Sequence, residues 1–171
     1  MLETERLLLR HFVPEDADAV QRQISDYEVA RMLGSVPWPY PEGGAAEWIE
    51  RQRGRGTHFA IVPKEGGEPM GSVGLAPDEE NRRAEVGYWL GRTHWGQGYM
   101  TEAVAAIVDY GFRELGLNRI FGRAYTTNPA SARVMAKAGM THEGTHRSDS
   151  YRLGEVLDLA VYAILRDEWS G

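Results

Sequence analysis

Apolar residues recur along this chain with two different periods. In the segment 84–90, AEVGYWL, alternate side chains share a face, with Val86, Tyr88 and Leu90 on one side and Glu85, Gly87 and Trp89 on the other. This period of two predicts a strand. Further on, a second set of positions follows the series i, i+3, i+4, i+7 and i+11, namely Val104, Ile107, Val108, Gly111 and Leu115. That spacing predicts an amphipathic helix that begins near residues 100–101, stops at Gly116 and approaches the sheet closely at Gly111.

The same patterns predict the rest of the secondary structure. Strands are expected at 4–12, 58–62, 70–75, 84–90, 119–125, 140–152 and 156–165. Helices are expected from Pro14 onward and at 26–33, 41–52 and 129–138, in addition to the long helix. The last two strands form a hairpin that turns at Gly154. A proline-rich loop at 34–40, GSVPWPY, separates two of the helices.

Between the strand at 84–90 and the long helix lies the segment 94–103, HWGQGYMTEA, which we call the glycine loop. Backbone N–H groups at the start of a helix point outward and carry partial positive charge, so such a loop is suited to a phosphate or pyrophosphate. A plain turn is the alternative. The spacing fits neither a P-loop nor a dinucleotide fingerprint, whose third glycine would fall at Thr101.

Composition narrows the class of protein. A chain of 171 residues is expected to fold as one domain, 1–171, with a core that needs no cross-links. The net charge of −6 argues against a nucleic-acid or membrane partner and suits a cationic substrate, although a mildly acidic surface is common. The chain has no cysteine, which excludes an acyl-cysteine intermediate. No apolar run is long enough for an anchor, so a cytoplasmic location is expected.

The string WGQGYMTEA resembles the pyrophosphate loop of the GNAT superfamily of acyl-coenzyme A N-acyltransferases. It is nearest to the branch that acetylates N-terminal amines of ribosomal proteins, where Trp-Gly-x-Gly-Tyr-x-x-Glu-Ala is typical. The similarity extends from ETERLLLR at the start to the final hairpin. It implies the α+β GNAT fold, a mixed and mostly antiparallel sheet of about seven strands with helices on both faces. The sheet would be splayed between its fourth and fifth strands, 84–90 and 119–125.

The resemblance also implies a site for acetyl-coenzyme A. The pyrophosphate would lie on the glycine loop, the pantetheine arm along the end of the strand at 84–90, and the second site helix would begin at NPAS. The implied coenzyme-binding residues are Trp89, Leu90, Trp95, Gly96, Gln97, Gly98, Tyr99, Met100, Thr101, Asn128, Ser131 and Arg133. Met100 stands where the family usually has Ala or Gly. For Asn128 a helix cap, and for Arg133 a solvated cation, are the alternatives.

Three residues carry the implied chemistry, which is direct attack of an amine on the acetyl thioester. Many members have a tyrosine proton donor at the place of Met135, so Ser131 is the remaining donor to the leaving sulfur. Glu85 is the candidate base through a water, Glu143 and Asp149 are the other carboxylates that could take the proton, and Asn128 lies beside the coenzyme. Ser131 as a capping-turn serine, and Glu85 paired with Arg82 or Arg83, are the alternatives.

The acceptor amine would be bound by residues from several segments. Trp38 and Tyr40 are displayed on the proline-rich loop and either form a wall of the site or anchor the loop. Glu85 and Asp149 supply carboxylates. The string His142-Glu143-Gly144-Thr145-His146 matches a zinc-protease motif, but that motif needs a helix, and this segment predicts a strand, so no metal is expected.

These observations predict an acetyl-coenzyme A-dependent N-acetyltransferase without an acyl-enzyme. The favoured acceptor is a protein or peptide N-terminal α-amine, possibly ribosomal, because of the branch that the loop resembles. A small polyamine or an aminoglycoside is the alternative acceptor, and a non-catalytic coenzyme A-binding module is the alternative of another class. The state of assembly is left open between monomer and homodimer.

Overall fold

The computed structural model describes residues 1–54 and 56–171, which form eight strands and five helices. The strands are β1 (Leu2–Glu3), β2 (Leu7–Arg10), β3 (His58–Pro63), β4 (Gly71–Asp78), β5 (Arg83–Leu90), β6 (Arg119–Tyr125), β7 (Thr141–Arg152) and β8 (Glu155–Leu165). The helices are α1 (Ala17–Ile24), α2 (Tyr27–Ala30), α3 (Gly44–Gln52), α4 (Tyr99–Arg113) and α5 (Pro129–Lys137). None of the helices in the described residues has the length and apolar character needed to cross a membrane.

The strands form one sheet in the order β1-β2-β3-β4-β5-β6-β8-β7. The β1–β2, β2–β3, β3–β4, β6–β8 and β7–β8 pairs are antiparallel, whereas β5 and β6 run parallel. The parallel ladder joins 83–85 to 119–121, the first three residues of each strand. This mixed and mostly antiparallel sheet confirms the predicted fold class.

One predicted element is wrong, the single strand at 4–12. The N–H of Thr4 donates to the carbonyl oxygen of Leu7 at 2.9 Å, and the Thr4 hydroxyl oxygen accepts from the N–H of Leu7 at 3.0 Å. These bonds close a turn, so the chain reverses and Leu2–Glu3 pairs with its own continuation in β2. The side-chain hydroxyl of Thr4 therefore interrupts a segment that apolar periodicity alone predicts as one continuous strand.

The described chain divides into two compact units. The first contains Met1–Gly74 and Tyr88–Ala103, and the second contains Leu75–Gly87 and Val104–Gly171. The predicted domain 1–171 therefore stays a prediction. In the first unit, Leu7 and Leu9 of β2 are fully buried, and Val20, Ala45 and Ile49 form a cluster against which Trp89 packs.

In the second unit the close approach predicted at Gly111 is confirmed. A Cβ built there would lie 2.6 Å from Cδ1 of Ile120 in β6 and 3.0 Å from Cδ1 of Leu75. Glycine therefore allows the part of α4 in this unit to lie directly on the sheet. The long C-terminal hairpin is also confirmed, with a turn at Leu153 and Gly154, whose φ angles are 50° and 88°.

Candidate functional site

The glycine loop follows the end of β5 and leads into α4 at Tyr99. Gly96 and Gly98 have φ angles of 77° and 83°, a region that side chains with a Cβ rarely adopt. A Cβ at Gly96 would meet no atom within 4 Å, so the backbone there is open to a ligand. Within residues 1–54 and 56–171, no acceptor is recorded for the backbone N–H groups of 96–101. These donors at a helix start suit an anion with several oxygens.

Arg6 holds the glycine loop from one side. Its Nη1 donates to the carbonyl oxygen of Gln97 at 3.0 Å, and its guanidinium lies 4.6 Å from the centre of the Tyr99 ring. Its Nη2 lies 3.4 Å from the point where a Cβ on Gly98 would stand. A cation therefore lies against the same turn that exposes the backbone N–H groups, and both features favour an anion.

Glu102, in the first turn of α4, fixes Arg6 in this position. Its carboxylate accepts from Nε and from the backbone N–H of Arg6, each at 2.8 Å, and from the hydroxyl of Thr4 at 2.6 Å. Burial acts to raise the pKa of Glu102, but the hydrogen bonds from Thr4 and Arg6 and the charge of Arg6 outweigh it and hold the pKa below its usual value. The carboxylate therefore stays charged and keeps the loop tied to the N-terminal turn.

The side chains of the glycine loop mostly serve the loop itself. Nε1 of Trp95 donates to the carbonyl oxygen of Leu90 at 2.7 Å, and Nε2 of Gln97 donates to that of Thr93 at 3.2 Å. Met100 is 7% exposed, so its bulk faces the interior and does not stand over the loop. The indole of Trp89 packs against Val20, Ala45 and Ile49, which we call the α1–α3 cluster. What this region offers a ligand is therefore mainly backbone.

In the second unit, α5 begins as the sequence predicts. Oδ1 of Asn128 accepts from the N–H of Ser131 at 3.2 Å, which is a side-chain cap. The cap accounts for this oxygen of Asn128, and Ser131 lies in the first turn of the helix. Arg133 is exposed. Met135 is buried against β6, where a Cβ on Gly122 would lie 2.7 Å from its sulfur. Position 135, at which the resemblance implies a tyrosine proton donor in many members, is therefore part of the core.

A second concave region lies on the sheet of the second unit, and we call it the charged groove. It has a volume of about 600 Å³ and is lined by Arg83, Glu85, Arg119, Phe121, Arg123, Glu143, Gly144, Thr145, His146 and Val161. The arginines of β6 alternate with buried residues, because side chains of a strand alternate between its faces. The floor is apolar at Phe121, whose ring centre lies 6.0 Å from the guanidinium of Arg83 and 5.6 Å from that of Arg119.

Glu85 lies in this groove, but its partner is not the one that the sequence suggested. Nε and Nη2 of Arg123 donate to its two carboxylate oxygens at 2.9 and 3.0 Å. Arg83 instead pairs with Asp78, and Arg82 donates to the carbonyl oxygen of Gly116. The expectation of a pair with Arg82 or Arg83 was wrong because the parallel register of β5 and β6 brings a residue 38 positions away into contact.

A second bidentate pair crosses the groove between β6 and β7. Nη1 and Nη2 of Arg119 donate to Glu143 at 2.6 and 2.5 Å. The hydrogen bonds to Glu143 raise the pKa of Arg119 and, reciprocally, lower the pKa of Glu143. For Arg123, the hydrogen bonds to Glu85 are the main cause of a raised pKa, and the charge of Asp149 adds to the effect. Both arginines therefore stay charged.

The other predicted acceptor residues lie in different places. Trp38 and Tyr40 belong to the first unit, where Trp38 lies edge-to-face against Tyr27 with ring centres 5.1 Å apart. Tyr40 packs on the α1–α3 cluster, and burial raises its pKa, which supports its role as a loop anchor. Asp149 belongs to the second unit, and its carboxylate lies 3.5 Å from Nδ1 of His146.

Sequence reasoning missed the groove arginines and the residues that hold the glycine loop. A signal for the former existed, because the segment RIFGRAY places Arg119, Phe121 and Arg123 on one face of a predicted strand. Arg6 and Glu102 lie in the quoted strings ETERLLLR and WGQGYMTEA, but no local pattern pairs them, since 96 positions separate them. The zinc-protease string lies on β7, so the helical spacing that it needs is absent, and no group of three metal-ligating side chains is found in the described part of the chain.

The chain is similar to known proteins over most of its length. The family described as "Acetyltransferase (GNAT) domain" matches residues 6–141. An uncharacterized N-acetyltransferase of Bacillus licheniformis is 36% identical over 99% of this chain and 98% of its own length. Another from Bacillus subtilis (strain 168) is 36% identical over 97% of each chain. The crystal structure of a GNAT-family acetyltransferase from Bacillus anthracis superposes with a TM-score of 0.88 at 28% identity, covering 97% of this chain and 98% of that one.

Two more distant structures share the fold. A spermidine N-acetyltransferase from Vibrio cholerae in complex with coenzyme A and spermine has a TM-score of 0.82 at 19% identity, over 95% of this chain and 96% of that one. A ribosomal-protein α-N-acetyltransferase (RimL) in complex with coenzyme A has a TM-score of 0.82 at 22% identity, over 97% of each chain. Since one acts on a polyamine and the other on a protein, this fold does not by itself select an acceptor.

Proposed function

This chain belongs to the acetyltransferase (GNAT) family, and we therefore propose that it transfers an acetyl group from acetyl-coenzyme A to the α-amine of a protein or peptide N-terminus. The observation that supports use of the coenzyme is the glycine loop, whose backbone N–H groups at 96–101 have no recorded acceptor in the described chain and which Arg6 holds beside Gly98. Donors and cation together fit a pyrophosphate. The α-amine rests on the branch that the loop resembles.

The coenzyme contacts follow from the loop and from the family resemblance. The backbone of Gly96 to Thr101 would hold the pyrophosphate, and strand backbone at Trp89 and Leu90 would contact the pantetheine amides. Asn128 and Arg133 are further candidates, for the pantetheine arm and a phosphate. The coenzyme supplies an activated acetyl thioester when it is bound.

The chemistry assigned to the chain's own residues is proton transfer around a direct attack. The neutral acceptor amine forms the new N–C bond as the thioester C–S bond breaks. Glu85, through a water, takes the proton that the nitrogen loses, and Ser131 gives a proton to the leaving sulfur. The protein therefore gains one proton at Glu85 and loses one at Ser131. A backbone N–H near Leu90 stabilises the oxyanion. No acyl-cysteine takes part, because the chain contains no cysteine.

Proton chemistry favours an α-amine over a lysine side chain. An α-amine has a pKa of roughly 7.7–8.0 and a lysine of about 10.4, so at neutral pH the α-amine is uncharged a few hundred times more often. That difference matters here because Glu85 is held by Arg123 and must act as base from within an ion pair. The rival acceptor is a polyamine, which the net charge of −6 would attract.

The test is a competition at pH 7 among three acceptors with release of free coenzyme A as the readout. The acceptors are a peptide with a free N-terminus, the same peptide with a blocked N-terminus and one lysine, and spermidine. We expect the free N-terminus to be acetylated fastest. Preference for spermidine or for the blocked peptide would contradict the α-amine, and coenzyme A binding without release in any arm would favour a non-catalytic module.

A further inference from the structure

We propose that the acceptor carries a carboxylate next to its α-amine, and that Arg123 in the charged groove binds this carboxylate. The inference rests on the proposed acetyltransferase function and narrows the acceptor. In the second unit, Arg123 holds Glu85, the candidate base, through two hydrogen bonds of 2.9 and 3.0 Å.

The arginines and glutamates of the groove are already paired. Its lining includes three arginines and two glutamates, whereas the whole chain carries a net charge of −6. A groove built for a polycation would be lined by unpaired carboxylates, yet both glutamates here are held by arginines. Arg83 is likewise paired with Asp78, so an anionic ligand must use a guanidinium N–H that these pairs leave over, above the apolar floor.

Arg123 is better placed than its neighbours to bind that group. It uses only Nε and Nη2 for Glu85, and within the described chain no acceptor is recorded for its Nη1. Arg119 instead commits both Nη1 and Nη2 to Glu143 at 2.6 and 2.5 Å, and Arg83 is paired with Asp78. Since a guanidinium presents several donors in a fixed plane, Arg123 can hold a second carboxylate beside Glu85.

The geometry also limits where the carboxylate stands in the acceptor. The amine must come within reach of Glu85, directly or through one water, while the carboxylate reaches Arg123. Because these two side chains are in direct contact, the amine and the carboxylate must lie within the first two residues of the acceptor. Two sources satisfy this requirement, an acidic side chain at the start of a peptide and the α-carboxylate of a free amino acid.

The test uses full-length protein with saturating acetyl-coenzyme A and measures kcat/KM for three acceptors. The first is the tripeptide amide Ser-Glu-Ala, the second is the uncharged analogue Ser-Gln-Ala amide, and the third is free serine. A hydrogen-bonded charge pair of this kind should favour the Ser-Glu-Ala peptide over its analogue by about ten- to a hundredfold. A preference for free serine over both peptides would assign the same chemistry to an amino acid.

Two matched variants separate recognition from structural damage. Arg123→Gln should abolish the preference for the carboxylate acceptors, whereas Arg119→Gln, which also breaks one arginine–glutamate pair of the groove, should keep it. A merely structural role would lower the rates for all acceptors together and leave their ratio unchanged. The readout is therefore the ratio and not the absolute rate.

The contrary outcomes are distinct. Equal rates for the two peptide amides, with free serine no better, or a preference that survives in Arg123→Gln, would overturn this inference and leave the proposed transferase intact. A preference lost in Arg119→Gln but kept in Arg123→Gln would overturn the assignment to Arg123. Release of coenzyme A with none of these acceptors, nor with the earlier peptides, would overturn the proposed function together with the inference.

Discussion

The glycine loop offers a ligand mainly backbone groups, whereas the charged groove offers mainly side chains. The loop offers backbone N–H groups at 96–101, while its side chains hold the loop together or face the interior. The groove offers side chains, namely arginines and glutamates that meet across strands. Under the proposed function, backbone would recognise the part that acetyl donors of this type share, whereas side chains would distinguish one acceptor from another.

The two regions also differ in how their form is maintained. Arg6 and Glu102 fix the loop by ion pairing, by backbone hydrogen bonds and by the contact with Tyr99, so that several interactions would have to fail before it moves. In the groove each glutamate depends on one arginine. A single substitution should therefore change the groove's selectivity readily, whereas the loop should respond mainly to changes in its glycines.

The largest expected effect is on the loop, from Gly98→Val. The φ angle of 83° strains any β-branched residue, and a Cβ would stand 3.4 Å from Nη2 of Arg6. Acetyl-coenzyme A at 100 times its Kd stabilises a protein by about 2.7 kcal/mol, and we expect most of this stabilisation to disappear. Thermal unfolding with and without the coenzyme measures it.

A matched control is Gly154→Val in the β7–β8 turn. Its φ angle of 88° imposes similar strain, and no atom lies within 4 Å of its Cβ position. This variant should lose stability and keep the stabilisation by the coenzyme. If Gly98→Val folds and binds acetyl-coenzyme A as tightly as the unaltered protein, the loop is not the pyrophosphate site.

Ser131→Ala, in the second unit, should lower the enzyme's turnover by about tenfold or more, because general acid catalysis commonly contributes at least that much. The coenzyme's Kd should change little, since the hydroxyl would act mainly in the transition state. Single-turnover rates and a binding titration distinguish the two quantities. Full turnover in this variant would return Ser131 to the role of a capping-turn residue.

Asn128→Ala should remove the cap of α5 and cost about 1 kcal/mol of folding free energy, measured by denaturant unfolding. It should also raise the coenzyme's KM if the side-chain amide contacts the pantetheine arm. Asn128→Ser is the control, because serine keeps a capping oxygen and lacks the amide. A normal KM in both variants would leave Asn128 with the cap alone.

The smallest expected effect is the dependence of the loop on acid. Because the pKa of Glu102 is lowered in the folded chain, its contribution is complete above the ordinary carboxyl value of about 4.3 and is lost as the pH falls through the folded value. Arg6 is 43% exposed, so screening limits the contribution to about 0.5 kcal/mol. The unfolding free energies of the protein and of Glu102→Gln should therefore differ at pH 7 and converge near pH 3. A difference that grows in acid would contradict this.

The contrast between the regions also explains what the sequence could predict. The glycine loop, the helix after it and the cap at Asn128 were all expected, because spacing along the chain encodes local backbone form. The Glu85–Arg123 pair was not, because it depends on the register between β5 and β6. The Thr4 turn was missed for a related reason, since a single side-chain hydroxyl overrides the apolar periodicity of its neighbours.

In the proposed division of roles, the loop binds the coenzyme through backbone and the groove selects the acceptor through charge. The most direct measurement of this division is the pair of KM values, for acetyl-coenzyme A and for the Ser-Glu-Ala amide, in Gly98→Ala and in Arg123→Gln. We predict that Gly98→Ala raises only the coenzyme's KM and that Arg123→Gln raises only the acceptor's KM. If either variant raises both values equally, or if each raises the other's value, the division of roles between the two regions is wrong.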